Sequence, residues 1–189
     1  MTTILVDADY LDQTAFELTV NFERMLERRI QKLDLSRWVD FVALDGGLRP
    51  DNNASVQVAL LYSPDKKTLK NCLPANLDTE LNGTAVKTNI AEFCFASCCA
   101  EHDYVSLADL YEQSLLALLH SEETDRLLLV ADIDKYGSQV RHALTEAQPN
   151  TQVTLFAPQA VMGFKCQQEV LTYSLMAAMN IRGEELTNI

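Results

Sequence analysis

Glycine and proline are scarce in this chain, 6 and 5 of 189 residues. That scarcity, with 48% hydrophobic residues, excludes collagen-like, low-complexity and disordered classes, which are rich in the former and poor in the latter. Basic residues are also few: 15 Lys and Arg stand against 27 Asp and Glu, a formal charge of −12. Such a surface repels phosphate backbones and anionic membranes at long range, so a nucleic-acid function must overcome it. No apolar run approaches the roughly 18 residues of a membrane span. Asp7 and Asp9 interrupt the N-terminus where a signal peptide's apolar region would lie, and the expectation is a cytoplasmic protein with no membrane partner.

Five cysteines, Cys72, Cys94, Cys98, Cys99 and Cys166, are odd in number, and three of them share one apolar stretch. That pattern suits reduced, buried thiols. Zinc on Cys94, Cys98, Cys99 and His102 is the weaker reading, because a zinc site usually takes two paired ligand groups separated by a loop. The length fits one domain, residues 1–189, with residues 158–189 as a C-terminal helical extension.

The apolar pattern sets out the elements. Thr3 to Val6 reads as a buried strand stopping at Asp7, and Leu11 to Leu33 as a long helix with Leu11, Ala15, Leu18, Phe22, Met25 and Leu26 at helical spacing. Trp38 to Leu44 reads as a second strand ended by Asp45-Gly46-Gly47, and Val56 to Tyr62 as a third. Between Pro64 and Asn89 the chain is polar, with weakly helical pieces. Glu92 to Cys99 reads as a fourth strand. Ser106-Leu107-Ala108-Asp109 has capping-box spacing and opens a helix to about Ser121. Arg126 to Ala131 is a further apolar strand, Asp132-Ile133-Asp134 leads into a helix to about Ala147, and Gln152 to Phe156 is the last strand. Cys166 to Met179 reads as an apolar helix, either buried in the domain or shared with a second subunit in a homodimer. Alternation of helices with apolar strands predicts an α/β fold, a three-layer sandwich around a mostly parallel sheet.

In such a sheet, ligands bind beyond the carboxyl ends of the strands. Asp7 and Asp9, Asp45, Asp103 and Asp109, and Asp132 and Asp134 all follow predicted strands. Each acid alone is more often a turn or capping residue, and Asp109 fits a cap. Two Asp-x-Asp pairs directly after apolar runs exceed what capping requires. Carboxylates gathered in one cleft repel one another, so some take up protons or a cation such as Mg²⁺ or Mn²⁺ shares the site.

At these residues the chain resembles a family. Ile4-Leu5-Val6-Asp7-Ala8-Asp9-Tyr10 is similar to the opening of NYN domains, PIN-like nucleases in which the Asp is followed three residues later by an Asn; Tyr10 stands in that place. Leu128-Leu129-Val130-Ala131-Asp132-Ile133-Asp134, followed by a helix and Val153-Thr154-Leu155-Phe156, resembles the family's later strand with its Ser-Gly-Asp-x-Asp signature. Ala131 replaces the small pair and Lys135 an aromatic. Asp103 and Asp109 resemble the family's acids in the intervening region, and the likeness covers Thr3 to Phe156. It implies a PIN-like/NYN-like fold and a ribonuclease using Mg²⁺ or Mn²⁺, with Asp7 and Asp132 catalytic, with Asp7, Asp9, Asp109, Asp132 and Asp134 as metal ligands, and with RNA as the partner. The whole sequence also looks like a small bacterial family of uncharacterised proteins, which brings no activity with it.

Two other readings compete. Asp7-Ala8-Asp9 and Ser63 after a strand resemble the first two motifs of haloacid-dehalogenase-type phosphohydrolases, with Asp7 as nucleophile and Lys135, Asp132 and Asp134 supplying the rest. The other is a PIN-like fold kept as a non-catalytic interaction or regulatory module, favoured by Tyr10, by Ala131 and by the acidic charge. Two basic clusters, Lys66, Lys67 and Lys70, and Arg24, Arg28, Arg29 and Lys32, are candidates for substrate approach but read better as solvated faces.

Overall fold

A computed structural model describes residues 1–51, 53–101 and 104–186. In chain order the elements are β1 (Thr2–Asp7), α1 (Ala8–Leu26), β2 (Leu33–Asp34), α2 (Leu35–Asp45), β3 (Ser55–Tyr62), β4 (Cys72–Leu73), β5 (Ala85–Lys87), β6 (Glu92–Cys99), α3 (Leu107–His120), β7 (Arg126–Val130), α4 (Ile133–Ala143), β8 (Gln152–Ala157), β9 (Gln167–Val170), α5 (Leu171–Ala178) and α6 (Gly183–Leu186). Seven strands form one sheet in the order β5-β6-β3-β1-β7-β8-β9. All neighbours run parallel except β5, which is antiparallel to β6.

The central strands are apolar on both faces because both faces are covered. Ile4 and Val6 of β1, with Leu128 and Val130 of β7, pack into a core that includes Leu11 of α1, Trp38 of α2 and Leu175 of α5. Leu5, Leu127 and Leu129 point the other way, into a second core with Tyr111 and Leu115 of α3 and Val140 of α4. The result is α/β: a mostly parallel sheet with helices on both faces, consistent with three layers.

Strand order places the site. From β1 the chain builds outward through β3 and β6, then returns to β7 on β1's other side and continues through β8 and β9. The reversal lies between β1 and β7, and at such a switch point the carboxyl ends of the strands leave a crevice.

Three elements differ from the sequence expectation. Trp38 to Leu44 is helix, not strand. The Asp34 carboxylate caps it by accepting from the Ser36 and Arg37 amides, and Leu35, Trp38, Val39, Val42 and Ala43 are buried at helical spacing. Asp45 therefore ends a helix and does not join the other acids. The Gly46 carbonyl accepts from the side chain of Arg126, the first residue of β7, which puts Asp45 toward the amino-terminal edge of the sheet. The first helix is shorter than expected, ending at Leu26 with Glu27 in the left-handed region; Leu33 lies in β2 and is buried. The predicted helix over Cys166 to Met179 divides: Gln167–Val170 is the edge strand β9, paired with β8, and only Leu171–Ala178 is helical. Within the chain α5 packs on α2, where Trp38 Nε1 donates to Ser174 Oγ over 3.2 Å.

Cysteines depart from expectation too. All five are free thiols, but only Cys72 is buried and Cys98 is exposed. β6 buries Phe93 and Phe95 and turns alternate residues outward. His102, the remaining member of the zinc reading, lies outside the described residues, as does Asp103. Among the described residues no helix is long and apolar enough to cross a membrane.

Candidate functional site

Asp7 and Asp132 end their strands and open the helices that follow. Asp7 Oδ1 accepts from the Tyr10 amide (2.9 Å) at the start of α1, and Asp132 Oδ1 accepts from the Lys135 amide (3.1 Å) at the start of α4. Both are therefore N-caps, with negative charge against the positive end of a helix dipole. Because β1 and β7 are neighbours in parallel register, the two caps stand side by side at the switch point.

A cavity of about 410 Å³ opens there, lined by residues that include Asp7, Asp9, Asp132, Lys135 and Tyr136. Asp9, in the first turn of α1, accepts from the Ser63 amide at the end of β3 (3.3 Å). The cleft thus draws on the ends of three adjacent strands. A second groove shares Gln13 and Lys66 with it and continues past Phe16 and Lys70.

Tyr136 links the two caps. Its hydroxyl donates to Asp7 Oδ2 (2.7 Å) and accepts from the Asp132 amide (3.3 Å). The residue leaves helical geometry (φ −134°, ψ 27°), a kink within α4. Asp7 is only 2% exposed, and burial raises its carboxyl above the usual carboxylate range; the hydrogen bonds from Tyr10 and Tyr136 oppose that shift, and the charges of Asp9 and Asp132 add to it. Tyr10 is pushed up to about 12 by burial and remains a neutral phenol. Burial likewise raises the Tyr136 phenol well above its ordinary value.

Asp132 is paired with a cation from its own helix. Lys135 Nζ lies 2.8 Å from Asp132 Oδ2, and the contact raises the lysine's pKa, with smaller contributions from Asp7 and Asp9. Asp132 and Lys135 stand three residues apart on one face of α4's first turn, and Tyr136 and Gln139 continue that face at the fourth and seventh positions.

The remaining predicted ligands stand apart from the cleft wall. Asp134 is exposed on the first turn of α4. Asp109 forms the capping box of α3: its Oδ2 accepts from the Ser106 amide (3.3 Å), and Ser106 Oγ accepts from the Asp109 amide (3.1 Å); Ser106 Oγ also donates to Asp109 Oδ2 (2.6 Å). The Ser106 contacts hold the Asp109 carboxyl below its ordinary range. Gln139, which lines the cleft, reaches Asp109 Oδ1 at 3.4 Å, so Asp109 is one side chain removed from it. The basic clusters are partly neutralised: Arg28 holds Glu185, Arg29 holds Glu23, and Lys67 lies 3.8 Å from Asp78.

Among the described residues, no three carboxylate, thiol or imidazole side chains gather as a group able to hold a metal ion. The two buried acids are also engaged by the protein's own donors. Asp7 has both oxygens engaged by Tyr10 and Tyr136, and Asp132 has both engaged by Lys135. Each of these oxygens keeps a further acceptor site, but it must be shared with the protein's own donors, and among the described residues the acids do not gather as a preformed Mg²⁺ or Mn²⁺ centre.

A family model described as a family of unknown function (DUF6621) matches residues 1–186, which take in both cores and the cleft. The chain belongs to this family. No curated protein and no solved structure matches it. In this DUF6621 chain the cleft residues beyond the acids, Tyr136, Gln139 and Gln13, were not apparent from motif reading. The helical spacing of Tyr136 and Gln139 from Asp132 was the signal that would have found those two.

Proposed function

We propose that this DUF6621 chain is a non-catalytic module of NYN/PIN-like form, an interaction or regulatory unit rather than a working ribonuclease. The observation that carries the reading is the engagement of both carboxylate oxygens of Asp7 and of Asp132 by the protein's own donors. A carboxylate that is to orient a metal or a water must offer lone pairs to it, and here Tyr10, Tyr136 and Lys135 compete for them. The formal charge of −12 favours a basic protein surface over RNA as the partner. Support for the NYN/PIN-like form comes from Asp7 and Asp132 closing neighbouring parallel strands and from Asp109 opening the helix before β7, in the order of the motif resemblance.

A cleavage time course on single-stranded RNA tests this. With Mn²⁺ or Mg²⁺ present, the wild-type chain is expected to leave the RNA intact. Cleavage that Asp132→Asn removes would overturn the reading, whereas equal cleavage by both proteins marks a contaminant.

The second reading, a Mg²⁺- or Mn²⁺-dependent ribonuclease, is favoured by a specific observation of its own: Asp7, Asp9 and Asp132 share one open cleft that leads into a groove carrying Lys66, Lys70 and the half-exposed ring of Phe16. Lysines with an aromatic ring suit a single strand. The phosphohydrolase reading is weaker, because a nucleophilic carboxylate needs an oxygen free to attack phosphorus and Asp7 is buried with both oxygens bonded.

A further inference from the structure

Three carboxylates and two lysines, Lys66 and Lys135, line one cleft, and the ion-pair contact of Lys135 with Asp132 raises the question of what balances the acids' charge. Asp7 and Asp132 are almost wholly buried, Asp9 is half-buried beside them, and all three line the same cavity. Like charges this close repel unless a cation is shared among them. The chain supplies one. Lys135 Nζ sits 2.8 Å from Asp132 Oδ2, and its side chain is 80% exposed while that of Asp132 is 10% exposed.

We infer that Lys135 is a built-in counter-ion, a tethered ammonium holding the cation position of the Asp7/Asp9/Asp132 cleft and thereby excluding divalent cations from Asp132. The two ends of this ion pair are unlike. Asp132 is fixed by its capping bond to the Lys135 amide and by the bond from its own amide to Tyr136. The lysine arrives from solvent on a flexible stem, from the next position of the same helix face. An ammonium is a monovalent point charge that satisfies a carboxylate without the several oxygen ligands that Mg²⁺ or Mn²⁺ demands. The ammonium thus stands beside Asp132 in a cleft whose acids, among the described residues, gather as no metal-binding group. It also makes one exposed side chain the gate at Asp132: remove its charge, and that carboxylate is left to attract whatever cation is present.

The inference goes beyond the non-catalytic reading and is tested apart from it, by binding of Mn²⁺ alone with no RNA present. Titration calorimetry compares the wild-type chain with Lys135→Gln, which keeps most of the stem and a donor but loses the charge, and with Lys135→Arg, which keeps the charge. Lys135→Gln is expected to bind Mn²⁺ roughly tenfold or more tightly than wild type, since a positive charge within a few ångströms of the ion is gone. Lys135→Arg is expected to match wild type, and Asp132→Asn added to Lys135→Gln to remove the gain. Because Lys135 is exposed, its substitutions keep the fold, and Asn at position 132 retains an oxygen for the cap; far-ultraviolet circular dichroism verifies the fold of each variant. Equal Mn²⁺ affinity in wild type and Lys135→Gln would overturn the inference, and so would a gain that survives Asp132→Asn. RNA cleavage by the wild-type chain would instead overturn the non-catalytic reading, so the two failures are distinguishable.

Discussion

The Tyr136 hydroxyl donates a 2.7 Å hydrogen bond to Asp7 Oδ2 across the junction between the first turn of α4 and the end of β1. The two residues lie 129 positions apart in sequence. The same hydroxyl accepts from the Asp132 amide, so one phenol joins both caps at the switch point of the sheet.

Removing that hydroxyl tests what the junction contributes. Tyr136→Phe keeps the ring and its tilted contact with Tyr111, 5.5 Å between centroids, but leaves Asp7 Oδ2 and the Asp132 amide without their partner. A buried polar group deprived of its hydrogen bond costs about 1–3 kcal/mol. Denaturant unfolding should register a loss of that size, with the slope unchanged because the surface exposed on unfolding is the same. A loss below about 0.5 kcal/mol, half the smallest penalty usual for such a group, would mean that water replaces the phenol.

Asp7 gives the fold a pH dependence of known sign. Its carboxyl is raised in the folded chain, by burial first, so the folded state holds that proton more tightly than the unfolded one. Stability from this group is present at low pH and is lost as pH rises from the ordinary value of 3.8 through the raised folded value. Asp7→Asn removes the titration while keeping an oxygen for the Tyr10 amide. The stability of Asp7→Asn relative to wild type should therefore increase as pH is raised from below 3.8 toward neutrality. A relative stability that falls over that range would reverse the assignment.

The apolar strands were legible in the sequence because parallel strands covered on both faces leave continuous apolar runs, as in Ile4 to Val6 and Leu127 to Val130. The capping box at Ser106 and Asp109 was legible for a local reason, two side chains three residues apart. What was misread shows the limit of run length as a signal. Trp38, Val39, Phe41 and Val42 form an apolar, β-prone cluster, yet tertiary packing selects the helix through positions 35, 38, 39, 42 and 43, and the cap at Asp34 starts it. Gln167, Gln168 and Glu169 carry no strand pattern because an edge strand buries little and is held by its ladder to β8. In the cleft, Asp7 and Asp132 were found by their place after strands. Tyr136 follows no strand directly, so that signal does not mark it, and its bond to Asp7 is long-range.

The helix that run length hid supplies the last prediction. Trp38, the chain's one tryptophan, is completely buried where α2 meets α5, and its Nε1 donates to Ser174 Oγ, which in turn donates to the Leu171 carbonyl over 2.9 Å. Trp38→Ala removes a large side chain from a close-packed core and should cost about 3–5 kcal/mol. Ser174→Ala is gentler in volume but leaves the indole N–H buried without an acceptor, at about 1–3 kcal/mol. Trp38→Phe deletes that donor together with part of the ring. If the indole and hydroxyl act as a pair, Ser174→Ala should cost less in the Trp38→Phe background than alone, giving a coupling of about 0.5 kcal/mol or more in a double-mutant cycle. Unfolding followed by circular dichroism measures the four proteins of the cycle, and Trp38→Ala, on one scale. Strict additivity would show that the two side chains meet without depending on each other.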